Sequence, residues 1–404
     1  MARHLPDIRQ ADVAGKTVLI RADLNVPMKG GVITDATRIE RFVPTVRDIV
    51  DRGGKAVIMT HLGRPNAEPN PLYSTRPIAA ALGSALGCDV KFVSDCVGGI
   101  AERGTGNLPA GSIVLLENLR FHSGETDNSR NFAFRLSVNG DIYVNDAFSC
   151  AHRAHASTHA IASIMPAFAG PSLLSEVDAL ETALENPERP VAALVGGAKV
   201  STKIDVLQHL VSKVDHLIVG GGMANTFLAA LGRNVGTSLC ERDAIGKALE
   251  ILGKAEVSGC EMILPDDVVV AGAFEANAPS KTVLVDNIPA DMMALDAGEK
   301  SCDRIAKTLK GCKTLLWNGP LGAFEIPPFD AATRATARTA AELTEGGSLV
   351  TVAGGGDTVA ALNAAGVADR FTYVSTAGGA FLEWLEGKDL PGIEILKEKT
   401  LEEA

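Results

Sequence analysis

Continuously apolar runs recur along the chain, and most of them end in a polar or glycine-rich segment. The runs begin at Thr17, Ala56, Val90, Ile113 and Asp141, and a second series begins at Val191, His216, Met262, Thr314, Ser348 and Phe371. Because these runs do not alternate apolar with polar residues, they favour parallel strands that are buried on both faces. Helix-like segments such as Ser175–Glu185 and Ser201–Val211 lie between them. Alternating strands and helices predict an α/β protein.

Eleven strands are many for one open twisted sheet, so we predict two sheets of five or six strands. The length of 404 residues agrees, since domains average roughly 150 residues. A helix-like stretch at 172–185 lies between Pro171 and a proline-rich turn at 186–190. These features predict two doubly wound, Rossmann-like parallel-sheet domains with a cleft between them. The expected boundaries are 1–170, a connecting helix at 171–186, and 187–387.

Composition narrows the class of partner. The formal net charge of −11 argues against nucleic acid or an anionic membrane as a partner. Seven scattered cysteines without C-x-x-C spacing indicate free thiols in a reducing compartment. The first residues lack the apolar core of a signal peptide, and the apolar stretch at 161–174 is short and contains two prolines. A cytoplasmic protein is expected.

The segments that follow the two series of runs differ in chemistry. The first half carries cations there, namely Arg21, Arg38, His61, Arg64, Arg120, His122, His152, Arg153 and His155. Guanidinium groups at strand ends suit phosphate and carboxylate. The second half carries glycines, which let backbone N–H groups approach phosphate, and Asp357, a carboxylate suited to Mg²⁺. Ligands of open parallel sheets bind beyond the carboxyl ends of the strands, so we predict an anionic substrate on one half and a nucleotide on the other.

Each of these signals also has a structural interpretation. A strand-end arginine is as compatible with an ion pair, and Arg21, inside its strand, is our candidate for that role. Taken alone, an aspartate in the position of Asp357 more often caps a helix than binds a metal, and Glu325 is also compatible with a solvated loop acid. The histidines at 152, 155 and 159 fit a substrate or structural role better than a metal site, because no cysteine or paired carboxylate is near them.

Three familiar classes of nucleotide enzyme are disfavoured by missing motifs. The chain has no G-x-x-x-x-G-K-[ST] run, so a P-loop NTPase is excluded. No G-x-G-x-x-G opens a helix after the first strand, which disfavours a nicotinamide oxidoreductase. The protein-kinase catalytic loop is also missing.

Taken together, the strand-end motifs resemble the phosphoglycerate kinase family from about residue 5 to about residue 395. The matching segments are R-A-D-L-N-V-P at 21–27, T-H-L-G-R-P at 60–65, E-N-L-R-F at 117–121, N-D-A-F-S-C-A-H-R-A-H at 145–155, G-G-A-K-V at 196–200, D-x-x-x-x-G-G-G-M at 215–223, W-N-G-P-L-G-A-F-E at 317–325 and G-G-G-D-T at 354–358. The resemblance implies reversible phosphoryl transfer between 1,3-bisphosphoglycerate with MgADP and 3-phosphoglycerate with MgATP, in glycolysis. It also implies a monomer whose residues 388–404 fold back on the first domain.

The resemblance implies a role for each matching residue. Phosphoglycerate is expected on Asp23, Asn25, Arg38, His61, Arg64, Arg120 and Arg153. The nucleotide is expected on Lys199, Lys203, Asn318, Glu325, Gly355, Gly356, Asp357 and Thr358, with Asp357 on Mg²⁺. Charge on the moving phosphoryl group is assigned to Arg38, Lys199 and the N–H groups of Gly378 and Gly379, acting in a closed interdomain cleft. No general base is required, because the attacking oxygen is already anionic.

Two positions depart from the family pattern, and one alternative function stays open. Ala377 replaces the first glycine of S-T-G-G-G-A, and Asn225 stands where an aromatic residue is common. We expect modest effects on nucleotide packing. A non-catalytic sugar-phosphate or nucleotide sensor is the alternative, and ATP-dependent phosphorylation of 3-phosphoglycerate would distinguish it from the kinase.

Overall fold

The computed structural model describes residues 5–402, with side chains up to residue 398. The chain divides into two compact units. The first unit runs to Val177 and includes the segment from Asp389 onward, and the second unit is Asp178–Lys388. All seven cysteines are free thiols. Among the described residues, none of the helices combines the length and the apolarity that crossing a bilayer demands.

Eight strands and five helices of the first unit precede the division of the chain. The strands are β1 (Thr17–Ala22), β2 (Met28–Lys29), β3 (Val32–Ile33), β4 (Lys55–Met59), β5 (Lys91–Val93), β6 (Ile113–Leu116), β7 (Ile142–Asp146) and β8 (Ala167–Ala169). The helices are α1 (Thr37–Asp51), α2 (Arg76–Leu86), α3 (Gly98–Thr105), α4 (Ser123–Thr126) and α5 (Arg130–Ser137).

Six of these strands form one parallel sheet in the order β5-β6-β4-β1-β7-β8. The central strands β1, β4 and β7 are buried along nearly their whole length, as continuous apolar runs predict for a sheet covered on both faces. The order of the strands reverses beside β1, where the carboxyl ends open a crevice. β2 and β3 form a separate antiparallel pair.

Helix α6 (Pro171–Leu180) spans the division of the chain, and a π-helical turn at Glu181–Glu185 extends it within the second unit. Its strands are β9 (Val191–Val195), β10 (His216–Val219), β11 (Glu261–Ile263), β12 (Asp267–Ala271), β13 (Ser280–Leu284), β14 (Met293–Ala297), β15 (Thr314–Asn318), β16 (Val350–Gly354) and β17 (Tyr373–Ser375). Its helices are α7 (Ile204–Leu210), α8 (Gly221–Ala230), α9 (Ile245–Ser258), α10 (Glu299–Gly311), α11 (Ala331–Glu345), α12 (Gly356–Ala365) and α13 (Gly378–Leu385).

A second six-stranded parallel sheet has the order β11-β10-β9-β15-β16-β17. In chain order this is 3-2-1-4-5-6, the doubly wound arrangement, and its reversal point lies between β9 and β15. Two parallel α/β sheets confirm the predicted fold class. The sheets have six strands each because β8, a strand of three residues within the apolar stretch at 161–174, joins the first one.

One predicted strand, which begins at Met262, is two strands in different sheets. Pro265, which has no N–H for a ladder, separates β11 in the parallel sheet from β12. β12 instead pairs antiparallel with β13 and β14. β13 is almost entirely exposed and polar, so no apolar run marks it, and this three-stranded sheet was not predicted.

The last helix, α14 (Pro391–Glu402), belongs to the first unit. The backbone N–H of Gly392 donates to the carbonyl of Ala151 at 2.9 Å. The Asn145 side-chain amide donates to the carbonyl of Gly392 at 3.2 Å. The chain therefore returns to the first unit after completing the second. The exact domain limits stay a prediction.

Asp146, at the end of β7, fixes where α6 begins. Its carboxylate accepts hydrogen bonds from the N–H groups of Ser172 at 2.7 Å and Leu173 at 3.1 Å, two donors with no partner inside the helix. The Thr45 hydroxyl also donates to it at 2.6 Å. Burial raises the pKa of Asp146, and these hydrogen bonds oppose that rise.

Replacing Asp146 by alanine should therefore lower the free energy of unfolding of the first unit by about 2–4 kcal/mol, because three buried or half-buried donors lose their acceptor. Urea denaturation followed by circular dichroism measures the change. The control is Asp12→Ala, which removes an exposed carboxylate that accepts from the N–H of Ala14 and should cost less than about 1 kcal/mol. Equal losses for the two variants would contradict the assigned role of Asp146.

Candidate functional site

Arg38 is held in place by the loop that follows β1. It lies in the first turn of α1, and its Nη1 donates to the Asp23 carboxylate at 2.6 Å and to the carbonyl of Asn25 at 3.1 Å. The Asn25 side chain in turn accepts from the N–H of Gly63 at 2.9 Å, which ties this loop to the one after β4. Ser149 also donates to Asp23. Asp23 and Asn25 thus orient the Arg38 guanidinium, whose side chain is 30% exposed.

Three predicted arginines from three loops line one cavity of about 430 Å³ in the first unit. Arg64 follows β4, Arg120 follows β6 and Arg153 follows β7. Arg120 is anchored by a hydrogen bond from Nη1 to the carbonyl of Gly63 at 2.7 Å, whereas Arg64 and Arg153 are exposed. No carboxylate lines this cavity within the described part of the chain. Such a lining suits an anion.

Three polar residues of this cavity were not predicted. Asn66, Ser123 and Thr126 line it together with His155, which the sequence analysis includes among the cations of the first half. Their signal in the sequence is weak, because serine, threonine and asparagine are common in loops of every kind. His155 was named as a cation of this region, but burial and the nearby arginines lower its pKa to about 4, so it is neutral at physiological pH.

His61 and Arg21 form a buried pair beside the Arg38 loop. His61 is 5% exposed and Arg21 is 0% exposed. Nη2 of Arg21 lies 3.1 Å from Nδ1 of His61. The pKa of His61 lies well below its usual value. Burial is the main cause, and the positive charges of Arg21, Arg120 and Arg38 add to it. Arg21 makes no direct salt bridge with any carboxylate of the described residues, so it is not the simple ion pair that the sequence suggested.

The glycine loops of the second unit meet at the reversal point of its sheet. Gly196 follows β9 and Gly319 follows β15, and the two backbones are so close that a side chain at Gly196 would overlap the carbonyl of Pro320. Lys203 joins the loops, since its Nζ donates to the carbonyl of Gly196 at 2.6 Å and to that of Asn318 at 3.1 Å. Burial lowers the pKa of Lys203 to about 8, and the charge of Asp357 opposes that shift.

The loop before α12 is fastened to the end of β15. The Asn318 side-chain amide donates to the carbonyl of Gly354 at 2.8 Å, and the Thr358 hydroxyl accepts from the N–H of Gly319 at 2.7 Å. Gly355 has φ of 97°, and a Cβ there would lie 2.6 Å from the Asn318 amide nitrogen. Only glycine fits this position without strain. The N-terminus of α12, with Gly356 and Asp357 exposed, is therefore set rigidly.

A cavity of about 520 Å³ adjoins these loops, and much of its wall is apolar. Glu325 and Asp357 lie on its rim, and Asn225, one of the two departures from the family pattern, lines it. The Asn225 amide donates to the carbonyl of Leu239 at 3.2 Å, so it is satisfied within the fold. The apolar residues of the wall were not predicted, and they are Leu239, Phe274, Met293, Leu295 and Leu321. Leu239 and Phe274 are 52% and 60% exposed, as expected where an apolar ring would bind.

Two oxygen atoms near the loop before α12 are of the type that suits a hard cation. Asp357 offers an exposed carboxylate. The Asn318 Oδ1 atom is buried and has no hydrogen-bond partner among the described residues, although buried amide oxygens are normally satisfied. Carboxylate, amide oxygen and nucleotide phosphate are the ligand types that Mg²⁺ prefers. These residues fit a magnesium-bound nucleotide.

The remaining predicted residues lie at loop and helix starts of the second unit. Lys199 is exposed and directly precedes a 3₁₀ turn at Val200–Thr202. Gly378 and Gly379 form the first turn of α13. Ala377, the second departure, has φ of −99°. An ordinary residue adopts this conformation without strain, so the missing glycine does not distort the turn.

Comparisons with known proteins agree over nearly the whole chain. Residues 8–388 match the family model described as "Phosphoglycerate kinase". The phosphoglycerate kinase of Methylobacterium radiotolerans is 58% identical over 95% of this chain and 96% of its own. That of Rhizorhabdus wittichii is 58% identical over 98% and 99%. The structure of the Coxiella burnetii phosphoglycerate kinase superposes with a TM-score of 0.92 at 41% identity, covering 98% of this chain and 100% of that one.

These matches identify a kinase that transfers a phosphoryl group to or from a carboxyl group. The chain belongs to the phosphoglycerate kinase family. The resemblance found in the strand-end motifs is confirmed, and a nucleotide is one of the substrates. The sensor alternative is not favoured.

The pKa of Lys203 predicts how nucleotide affinity depends on pH. With its pKa lowered from 10.5 to about 8, the ammonium is charged below that pH and neutral above it. Because only the charged form attracts phosphate, the Kd for ADP should rise as the pH passes through about 8. Calorimetric titration of ADP between pH 7 and pH 9.5 measures it.

Lys203→Met should weaken ADP binding by about tenfold or more, because the loops lose their bridge and phosphate loses a cation. It should also abolish the rise of the Kd with pH. The control Lys247→Met removes an exposed lysine paired with Glu250 and should leave the Kd and its pH dependence unchanged. A rise of the Kd near pH 8 that persists in Lys203→Met would show that another group causes it.

Proposed function

We propose that the first unit binds 3-phosphoglycerate or 1,3-bisphosphoglycerate and that the second binds MgATP or MgADP. The observation that carries this assignment is the convergence of Arg64, Arg120 and Arg153 on one cavity. Planar guanidinium groups from three loops match a small molecule that carries both phosphate and carboxylate. Asp23 and Asn25 orient Arg38. Together with His61 they complete the proposed set by forming hydrogen bonds with the same ligand.

The nucleotide is proposed to lie across the glycine loops of the second unit. Its base fits the largely apolar cavity, and its phosphates fit the N-terminus of α12, where Gly355, Gly356 and Thr358 present backbone N–H groups. Lys203, Asn318 and Glu325 border the same loops. Asp357 would hold Mg²⁺, which neutralises part of the phosphate charge when bound.

Transfer between two anions needs positioning and charge stabilisation more than proton transfer. The attacking oxygen is an ADP phosphate oxygen in one direction and a carboxylate oxygen in the other, so neither direction needs a general base. This agrees with His61 and His155, whose lowered pKa values keep them neutral. We assign the charge of the moving phosphoryl group to Arg38 and Lys199, with the N–H groups of Gly378 and Gly379.

The sequence also leads us to propose a cytoplasmic monomer. The free thiols suit a reducing compartment. Light scattering coupled to size-exclusion chromatography gives the mass directly, and a chain of 42.1 kDa should elute with that mass. A mass of twice this value would contradict the monomer.

Arg38→Ala should lower kcat for ATP-dependent phosphorylation of 3-phosphoglycerate by about a hundredfold or more, equivalent to about 3 kcal/mol of lost transition-state stabilisation. A coupled assay for the acyl phosphate product measures the rate, and circular dichroism verifies the fold. Arg47→Ala is the matched control, because Arg47 lies on the same helix and is exposed. Its rate should stay within about twofold of wild type. Near-normal turnover of Arg38→Ala would remove Arg38 from this role.

Asp357→Asn should raise the Mg²⁺ concentration for half-maximal rate by about tenfold, because an amide is a weaker ligand than a carboxylate. Titration of the rate with Mg²⁺ at fixed ATP measures it. The control is Asp369→Asn, an exposed acid just beyond the end of α12. If both variants respond to Mg²⁺ as wild type does, Asp357 is a helix-capping residue rather than a metal ligand.

A further inference from the structure

Arg21 is a fully buried cation next to the loops proposed to bind phosphoglycerate. It has no role in the proposed phosphoryl transfer. Its Nε donates to the Ser157 hydroxyl at 2.9 Å, and its Nη1 donates to the carbonyl of Ala22. Nη2 contacts Cys150 Sγ at 3.4 Å and His61 Nδ1 at 3.1 Å. Removing a guanidinium from water is costly. The burial of Arg21 therefore indicates a role that an apolar residue at this position of β1 could not fulfil.

The charge of Arg21 is compensated through one hydroxyl. Ser157 Oγ accepts from Arg21 and donates to the carboxylate of Glu125 at 2.6 Å, and the Ser157 N–H donates to the same carboxylate at 3.0 Å. Both Glu125 and Ser157 are 0% exposed. Because the serine hydroxyl has one proton, this chain of hydrogen bonds has a fixed direction. The Arg21 guanidinium therefore has a defined orientation.

That orientation determines the tautomer of His61. A guanidinium has donors only and stays protonated in proteins. The ring nitrogen that faces it, Nδ1, must therefore accept. Burial has the largest effect on the pKa of His61 and lowers it. The nearby Arg21, Arg120 and Arg38, and to a smaller extent His155, lower it further, so the ring is neutral. A neutral imidazole carries one proton, and with Nδ1 as acceptor that proton resides on Nε2.

We infer that Arg21 is a positioning residue which locks His61 as the Nε2–H tautomer and so gives the phosphoglycerate site a permanent hydrogen-bond donor. Nε2 of His61 makes no hydrogen bond within residues 5–398, so the donor is free for a ligand. The inference rests on the proposed function, since the ligand is the phosphoglycerate assigned there. The opposite tautomer would present a lone pair to an anion.

This arrangement separates the charge of the site from its hydrogen-bonding geometry. Arg38, Arg64, Arg120 and Arg153 supply positive charge, so His61 need not be cationic. Asp23 and Cys150 also face the imidazole, their ligand atoms lying within 4.8 Å of its nitrogen and of each other. Without Arg21, small differences in hydrogen bonding to Asp23 or Cys150 would determine the tautomer of the imidazole. The Arg21 guanidinium allows only one tautomer.

The tautomer can be measured without substrate. In ¹⁵N-histidine-labelled enzyme, with His61 assigned through His61→Gln, we expect a protonated Nε2 and an unprotonated Nδ1 from about pH 5.5 to about pH 8.5. An Nδ1–H tautomer, or a ring that titrates near the ordinary pKa of about 6.5, would overturn the inference. Adding 3-phosphoglycerate should shift the Nε2–H proton resonance. If the tautomer is as expected but no His61 resonance moves, the donor does not serve this ligand and the inference fails for that reason.

Variants separate positioning from bulk structure. Arg21→Met should mix the two tautomers and raise the KM for 3-phosphoglycerate by about tenfold, with the KM for ATP within about twofold of wild type. Arg21→Lys retains one donor for Nδ1 and should restore the single tautomer and part of the affinity. The control Arg52→Met removes a half-buried arginine that donates to Ile8, Ala11 and Asp48 and should leave both readouts unchanged.

An Arg21→Met enzyme that folds and keeps both the tautomer and the KM would overturn the inference. If that variant does not fold, the wild-type spectrum and Arg21→Lys decide alone. A single Nε2–H tautomer with a shifted resonance on 3-phosphoglycerate supports the positioning role, and a mixed tautomer in the wild type refutes it.

Discussion

The burial of two parallel sheets on both faces is the constraint from which the rest of this structure follows. A strand inside such a sheet has room only for apolar side chains and must satisfy every backbone group in the ladder. Polar chemistry is then confined to the loops at the carboxyl ends, and it concentrates where the strand order reverses. In the second unit these are the loops after β9 and β15, and in the first unit they surround the end of β1.

The two units offer an anion different groups to bind to. The first uses arginines whose orientation is set by short hydrogen bonds, as Asp23 does for Arg38 and the carbonyl of Gly63 does for Arg120. The second uses closely packed backbone, bridged by the ammonium of Lys203. Oriented guanidinium groups suit a small substrate with two charged ends, whereas backbone N–H groups suit a chain of phosphates.

The fold was predictable where burial requires a recognisable pattern of apolar residues in the sequence. Each of the eleven apolar runs supplies one strand of a parallel sheet, because strands covered on both faces need continuous apolar sequence. β8 and the antiparallel strands β13 and β14 were missed, since they are short, exposed or mixed in polarity. The run at Met262 was misread because Pro265 redirects the chain between two sheets. The arginines of the site were predicted because charged residues directly after apolar runs stand out in the sequence. Ser123, Leu239 and Phe274 were not predicted, because they resemble ordinary loop residues.

Sequence alone determined the class of fold, the family and the identity of the residues that carry charge, because these depend on pattern and on chemical type. Tertiary structure decided which of those residues are neutral, anchored or exposed. Arg21 is the clearest case: its position in a strand suggested an ion pair, yet its partners are Ser157 and His61, 136 and 40 residues away. Hydrogen-bond geometry and desolvation arise only when distant segments pack together, and a linear sequence does not encode them locally.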